Sequence, residues 1–218
     1  SPVTPTPLIE CDLDNDGFAE FDLESKNDEI LAGAGVDISY YEFEADAEAG
    51  TILSLSSPYT NTSTSPQTIF ARVEFTTTGC FDIVPMDLVL NSTPIIPINI
   101  TDLAICDVNL DGIEFFDLTE RANEIYGVSQ DPTDYDLTYY TDPIDADTGT
   151  NPIPTLPIPP STTSTSNYPS LGAETIWFRA VNLDGCATIG SFNLIINTVP
   201  TYTEVPLYEL CDDGISDG

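Results

Sequence analysis

Histidine is absent, and only four residues carry a positive charge against 37 acidic ones. The first absence removes the Ser/His and Cys/His pairs of nucleophilic catalysis, and with them the commonest zinc ligand. The second leaves a formal net charge of −33 at pH 7. A surface so acidic repels nucleic acid and anionic bilayers, because binding either requires Lys and Arg to displace counterions. No apolar run reaches the roughly 18 residues that a membrane helix needs. No signal peptide is seen, and the chain opens on "SPVTPTP" instead of Met. Together with a phrase broken off at the other end, this gives the expectation of a fragment from inside a longer polypeptide.

What is present is apolar material and repetition. A hydrophobic fraction of 41%, with ten Tyr and ten Phe, suffices for packed cores. "CDLDNDGFAEFDL" (Cys11 to Leu23) shares seven of its thirteen residues with "CDVNLDGIEFFDL" (Cys106 to Leu118), and "CDDGISDG" begins the phrase again at Cys211. The register holds beyond the phrase. "SYYEFEADAEAGT" answers "TYYTDPIDADTGT", "TIFAR" answers "TIWFR", Gly79-Cys80 answers Gly185-Cys186, and "DLVLNSTP" answers "NLIINTVP". The second repeat is longer in a Pro/Ser/Thr segment, where a surface loop absorbs insertions at little cost. The domains predicted are residues 1–97, residues 98–203, and the start of a third repeat at 204–218.

Within each repeat, short β-branched and aromatic runs alternate with Pro, Gly, Ser and Asn, predicting strands at Val36–Phe43, Ile69–Phe75 and Phe81–Leu90 and their counterparts. "LVL" and "LII" read as strand segments covered on both sides. "FDLTERANEIYG" and "FDLESKNDEILAG" predict one short helix per repeat, with Asp117 capping and Gly127 terminating the second. The "DAEAGT" and "DADTGT" stretches read as tight surface turns. About seven strands in about 100 residues point to an all-β chain of tandem immunoglobulin-like sandwiches.

The cysteines recur one to the opening phrase and one to the later Gly-Cys of each repeat. That pattern predicts Cys11–Cys80 and Cys106–Cys186 bonds, with Cys211 paired beyond the fragment. Cys80 with Cys106, joining neighbouring domains, is the rival pairing.

Asp12, Asp14 and Asp16 before Gly17 resemble the first half of a calcium loop, which the Phe18 carbonyl and Asp22 would complete. Asp107, Asn109 and Asp111, with the Ile113 carbonyl and Asp117, form the second set. Oxygen donors without histidine suit calcium. The competing reading is an Asp-Gly turn, with Asp22 and Asp117 serving only as helix caps. Arg72 and Arg179 recur in matching strands and are expected to stack on a ring and pair with an acid. Trp177 takes the place of Phe70 as strand packing. Asn61, Asn91 and Asn99 match the N-glycosylation triplet, which chance readily produces in a Thr/Ser-rich chain.

The succession of these phrases from about Leu8 onward resembles the tandem repeats of giant Bacteroidetes surface proteins. Those are exported by the type 9 secretion system, and many are associated with gliding motility or adhesion. The resemblance implies an extracellular, outer-membrane-associated location, an adhesive or stalk-forming role, and no catalytic residues. Expected partners are neighbouring repeats, surface glycans or other cell-surface proteins, with no nucleic acid and no membrane insertion. The alternative is a glycan-binding accessory module of a secreted enzyme, which would need a platform of exposed aromatics.

Overall fold

A computed structural model describes residues 1–31, 35–127, 130–157 and 163–200. The third-repeat start at 204–218, with Cys211, lies outside the described residues. The first repeat contains β1 (Leu8–Asp12), β2 (Glu20–Phe21), a 3-10 turn (Leu23–Lys26) running into α1 (Asn27–Leu31), β3 (Val36–Tyr41), α2 (Glu44–Ala49), β4 (Tyr59–Thr60), β5 (Gln67–Phe75) and β6 (Phe81–Ser92). The second repeats it with β7 (Leu103–Asp107), β8 (Glu114–Phe116), a 3-10 turn (Leu118–Arg121) and α3 (Ala122–Tyr126). A further 3-10 turn (Pro132–Asp134) precedes β9 (Tyr135–Tyr140), then come α4 (Pro143–Thr148), β10 (Tyr168–Ser170), β11 (Glu174–Asn182) and β12 (Ala187–Thr198).

Each repeat has one four-stranded and one two-stranded sheet, ordered β1-β6-β5-β3 with β2-β4, and β7-β12-β11-β9 with β10-β8. Pairing is antiparallel except that β1 runs parallel to β6, and β7 to β12. In chain order β3, β5 and β6 stand where the C, F and G strands of an immunoglobulin sandwich stand, and β2 and β4 where B and E stand. The chain is therefore all-β, in tandem immunoglobulin-like domains. Among the described residues six strands form per repeat rather than about seven.

Two separate cores follow from period-2 burial. In β5, Ile69, Ala71 and Val73 turn inward to meet Phe21, Leu23, Ile30, Met86 and Leu88. In the second repeat, Ile176 and Phe178 meet Phe116, Leu118, Ile125, Phe192 and Leu194. β12 is not covered on both faces along its apolar run, since Ile195 is 37% exposed beside the buried Leu194, whereas in β6 Val89 and Leu90 are half-buried beside the buried Leu88.

The stretches expected as tight turns instead carry a second helix in each repeat. α4 has Pro143 in its first turn, and the Asp142 carboxylate accepts from the Ile144 and Asp145 N–H groups. Gly50 and Gly149 end α2 and α4 in the left-handed region, at φ 59° and 71°. The expected first helix also forms, and Asp117 caps it by accepting from the Thr119 N–H.

Burial pushes the Tyr40, Tyr139 and Tyr168 hydroxyls above their ordinary value of 10, nearby acids adding to the effect at Tyr40 and Tyr168. These groups favour the fold in their neutral form. Their contribution is complete below pH 10, where the unfolded tyrosines begin to ionise, and is lost as pH climbs through the higher folded values. Thermal melts are therefore expected to fall progressively above pH 10. The share of the tyrosinate absorbance that belongs to these three residues should appear in step with unfolding rather than before it.

Candidate functional site

The junction between the two repeats is where the cysteines act. Cys11 is bonded to Cys186, 175 residues away, with Cα atoms 5.6 Å apart. Cys80 and Cys106 are free and exposed. The expected Cys11–Cys80 and Cys106–Cys186 bonds are thus both corrected, and the rival Cys80–Cys106 bond is not formed either.

Strand length explains the correction. Cys11 lies on β1 opposite Asn91, near the end of β6. Cys80 sits in the hairpin that enters β6 at Phe81. Eleven residues of extended chain separate Cys80 from Asn91, roughly 37 Å at the rise of a strand. A disulfide tolerates Cα separations of at most about 7 Å. Cys186 and Cys106 are separated in the same way along β12, because Cys106 lies opposite Asn197. No cysteine pair within one repeat can meet. Stacking the second repeat end to end on the first brings its hairpin to the far end of β6, and there Cys186 finds Cys11.

Polar contacts fix this meeting. Asn182 Nδ2 donates to the Ser92 carbonyl at 2.6 Å, and its Oδ1 accepts from the Cys186 N–H at 2.9 Å, so one side chain shapes the hairpin and seats it. Thr188 Oγ1 donates to the Pro94 carbonyl at 2.7 Å, and Cys186 Sγ lies 3.7 Å from the Asn91 carbonyl. The connecting segment is held from both sides. The Gln130 amide accepts from the Ile95 N–H at 3.1 Å and donates to the Ile95 carbonyl at 2.6 Å. Asn15 accepts from the Thr93 N–H at 3.0 Å, and Thr93 Oγ1 donates to the Asp12 carbonyl at 3.0 Å.

The aspartate loop therefore adjoins the junction through Asn15. It is built largely from its own bonds. Asp12, 6% exposed, accepts from the Asp16 N–H through Oδ1 and from the Gly17 N–H through Oδ2. Asp16 accepts from the Phe18 N–H at 2.8 Å. Oxygens of Asp12, Asp14 and Asp16 lie within 4.8 Å of one another. Asp22 is not in that group, and its Oδ1 accepts from Ser57 Oγ. In the second loop Asp107 accepts from the Gly112 N–H, while its Oδ1 is buried without a partner. Asn109 and Asp111 bond to one another, Asp111 accepts from the Ile113 N–H, and Asp117 is occupied at its cap. Asn61, of the first glycosylation triplet, is buried, with Nδ2 donating to the Gly17 carbonyl and Oδ1 accepting from the Ala19 N–H.

All four cations are committed internally. Lys26 pairs with Glu29, which also accepts from the Thr6 N–H and Oγ1. Those donors, led by Lys26, hold the Glu29 carboxyl at about 2. Arg121 pairs with Glu124, which binds Thr101 in the equivalent place. Arg72 donates to the Ala47 and Glu48 carbonyls at the end of α2, pairs with Glu74 at 2.7 Å and lies 3.4 Å from the Phe81 ring centroid. The ring and acid expected of it are both present. Arg179 donates likewise to the Ala146 and Asp147 carbonyls of α4, but Val181 and Ala187 replace the acid and the ring. What reading the strand could not show was the helix end that both guanidinium groups cap.

The sequence model of a family described as the Flavobacterium inter-domain disulphide bond domain matches residues 7–94 and again residues 102–200. No curated protein matches the chain. Solved structures similar to it include the titin domains Z1Z2 in complex with telethonin, at 10% identity over 92% of this chain and 97% of that one, TM-score 0.23. Another is human mucin-like protocadherin EC1-2, at 11% identity over 92% and 98%, TM-score 0.22. Among the described residues no helix is long and apolar enough to cross a membrane.

Proposed function

The chain belongs to the Flavobacterium inter-domain disulphide bond domain family, and from that premise we propose that it is a non-enzymatic stretch of a larger extracellular array, a stiff stalk or adhesive filament. The observation that carries this reading is the Cys11–Cys186 bond, which clamps two separately cored modules across their junction. A bond placed there belongs to neither core. It resists separation and bending of neighbours, which is what a stalk requires. With its four cations engaged by its own acids and carbonyls, the chain has no free basic side chain to draw an anionic substrate or nucleic acid. Export by type 9 secretion and display at the outer membrane complete the proposal. The test is mechanical: the oxidised rod should resist stretching and yield only after reduction. A junction equally compliant in both states would sink the reading.

Calcium belongs to the same proposal. The grouped oxygens of Asp12, Asp14 and Asp16 beside the junction, and the unpartnered Asp107 Oδ1 at the far end of the second repeat, offer hard donors. A site with near-millimolar affinity, in tenfold excess calcium, would stabilise its loop by about 1.4 kcal/mol. The melting temperature is expected to rise on calcium addition and return with chelator. A melt indifferent to both removes the cation from the account and leaves the disulfide clamp standing.

A further inference from the structure

Leu8, Glu10 and Asp12 share one face of β1, because alternate residues of a strand point the same way. Leu8 belongs to the first core, and the buried Asp12 is bonded within its own loop. Glu10 between them is half-buried, and among the described residues nothing donates to its carboxylate. The second repeat has Ile105 in this place, packed against its core. A half-buried carboxylate where an apolar side chain would pack is costly unless a donor or a cation meets it.

Glu10 lines a cleft of about 430 Å³ bounded by β1, the aspartate loop and β2. Asp14 and Glu20 add carboxylates to the lining, while Leu13, Phe18 and the bonded Cys11 add apolar surface. Glu20 is exposed and also lacks a partner, and Asp14 accepts only from the Asp16 N–H, at 3.3 Å. Leu13 and Phe18 are 80% and 45% exposed. We propose that this cleft binds an arginine side chain of a basic partner protein.

Arginine matches both kinds of surface. Its charge answers Glu10 and Glu20, its planar face stacks on an aromatic ring such as Phe18, and its methylene stem covers apolar surface such as Leu13. A bare divalent ion would leave Leu13 and Phe18 uncovered. A second copy of the chain does not supply the side chain, because Lys26, Arg72, Arg121 and Arg179 are each bonded internally. The partner is therefore a different, basic protein, and a chain of net charge −33 draws it from a distance. In the second repeat Glu10, Asp14 and Glu20 become Ile105, Asn109 and Phe115, so each chain offers one such site. The site adds a partner to the stalk reading without depending on it.

The probe is a short peptide, capped at both ends, with one arginine between leucine and phenylalanine. It is titrated into the isotope-labelled chain in low-salt, calcium-free buffer and followed by NMR. Saturable shifts are expected at the Leu13, Phe18 and Ala19 amides, with one peptide bound per chain and binding that weakens as salt is added. Glu10→Gln with Glu20→Gln should weaken it about tenfold or more. Asp37→Asn with Glu48→Gln removes the same charge from exposed positions elsewhere and should change it less than about twofold. Citrulline in place of the arginine, neutral and of the same shape, should also cost about tenfold or more, with the protein unaltered. Equal weakening by the two pairs of substitutions would reduce the attraction to diffuse charge and overturn the proposal. So would the absence of saturable shifts with the unaltered chain. Spermidine that gives the same shifts as tightly as the peptide would assign the cleft to small polycations and overturn the protein partner.

Discussion

Stretched between its ends with Cys11–Cys186 intact, the chain should release only the residues outside that bond, and reduction should add roughly 600 Å of contour, at about 3.4 Å per extended residue. The chain between the bonded cysteines, 175 positions apart, bears no load while the bond holds. Force entering at the amino terminus passes from Cys11 to Cys186 and leaves along β12. Single-molecule stretching with and without reductant reads this directly. Cys11→Ser should behave as the reduced chain does, with two unfolding steps, one per core. In solution the same bond closes a loop for which chain entropy alone gives about 5 kcal/mol. Equal extension in the oxidised and reduced states would mean that the clamp carries no force.

A second large effect is expected in the core of the second repeat. Phe178 and Gly190 face each other across β11 and β12, where the first repeat has Ala71 facing Val84. A Cβ on Gly190 would lie 2.3 Å from Phe178 Cζ. Gly190→Val should therefore cost about 3 kcal/mol or more through overpacking. Phe178→Ala should cost about 3–5 kcal/mol, since the ring is fully buried and stacks on Phe192 at 6.5 Å. The double variant recreates the pair that the first repeat already uses, and should recover about 2 kcal/mol of the summed losses. Denaturant unfolding of the four chains closes the cycle. Strict additivity would show that the two side chains do not share one volume.

Much of the fold could be read from local pattern. Alternation in "IFARVEF" puts Ile69, Ala71, Val73 and Phe75 on one face, of which the first three are buried and Phe75 is 41% exposed, and Asp117 announced its helix because capping depends on residues only two apart. The second helices were missed because α2 and α4 are six residues each, too short for helical periodicity to show, and each ends on a Gly that a turn would also use. The aspartate loop was legible as a loop. Asp22 and Asp117 were assigned to it by spacing along the chain, whereas Asp22 bonds Ser57 across 35 positions.

The sequence by itself determined that one module is written twice, with its own core each time, its four cations in matching places and one cysteine in the opening phrase and one in the later Gly-Cys. Duplication, period-2 burial and helix caps are properties of neighbours in the chain, so the order of residues carries them. Which cysteine meets which was decided only by the tertiary structure. A twelve-residue strand holds the two cysteines of a module at opposite ends, and stacking of one module on the next supplies the partner that the strand denies. Cα–Cα distance, not repeat membership, selects a disulfide.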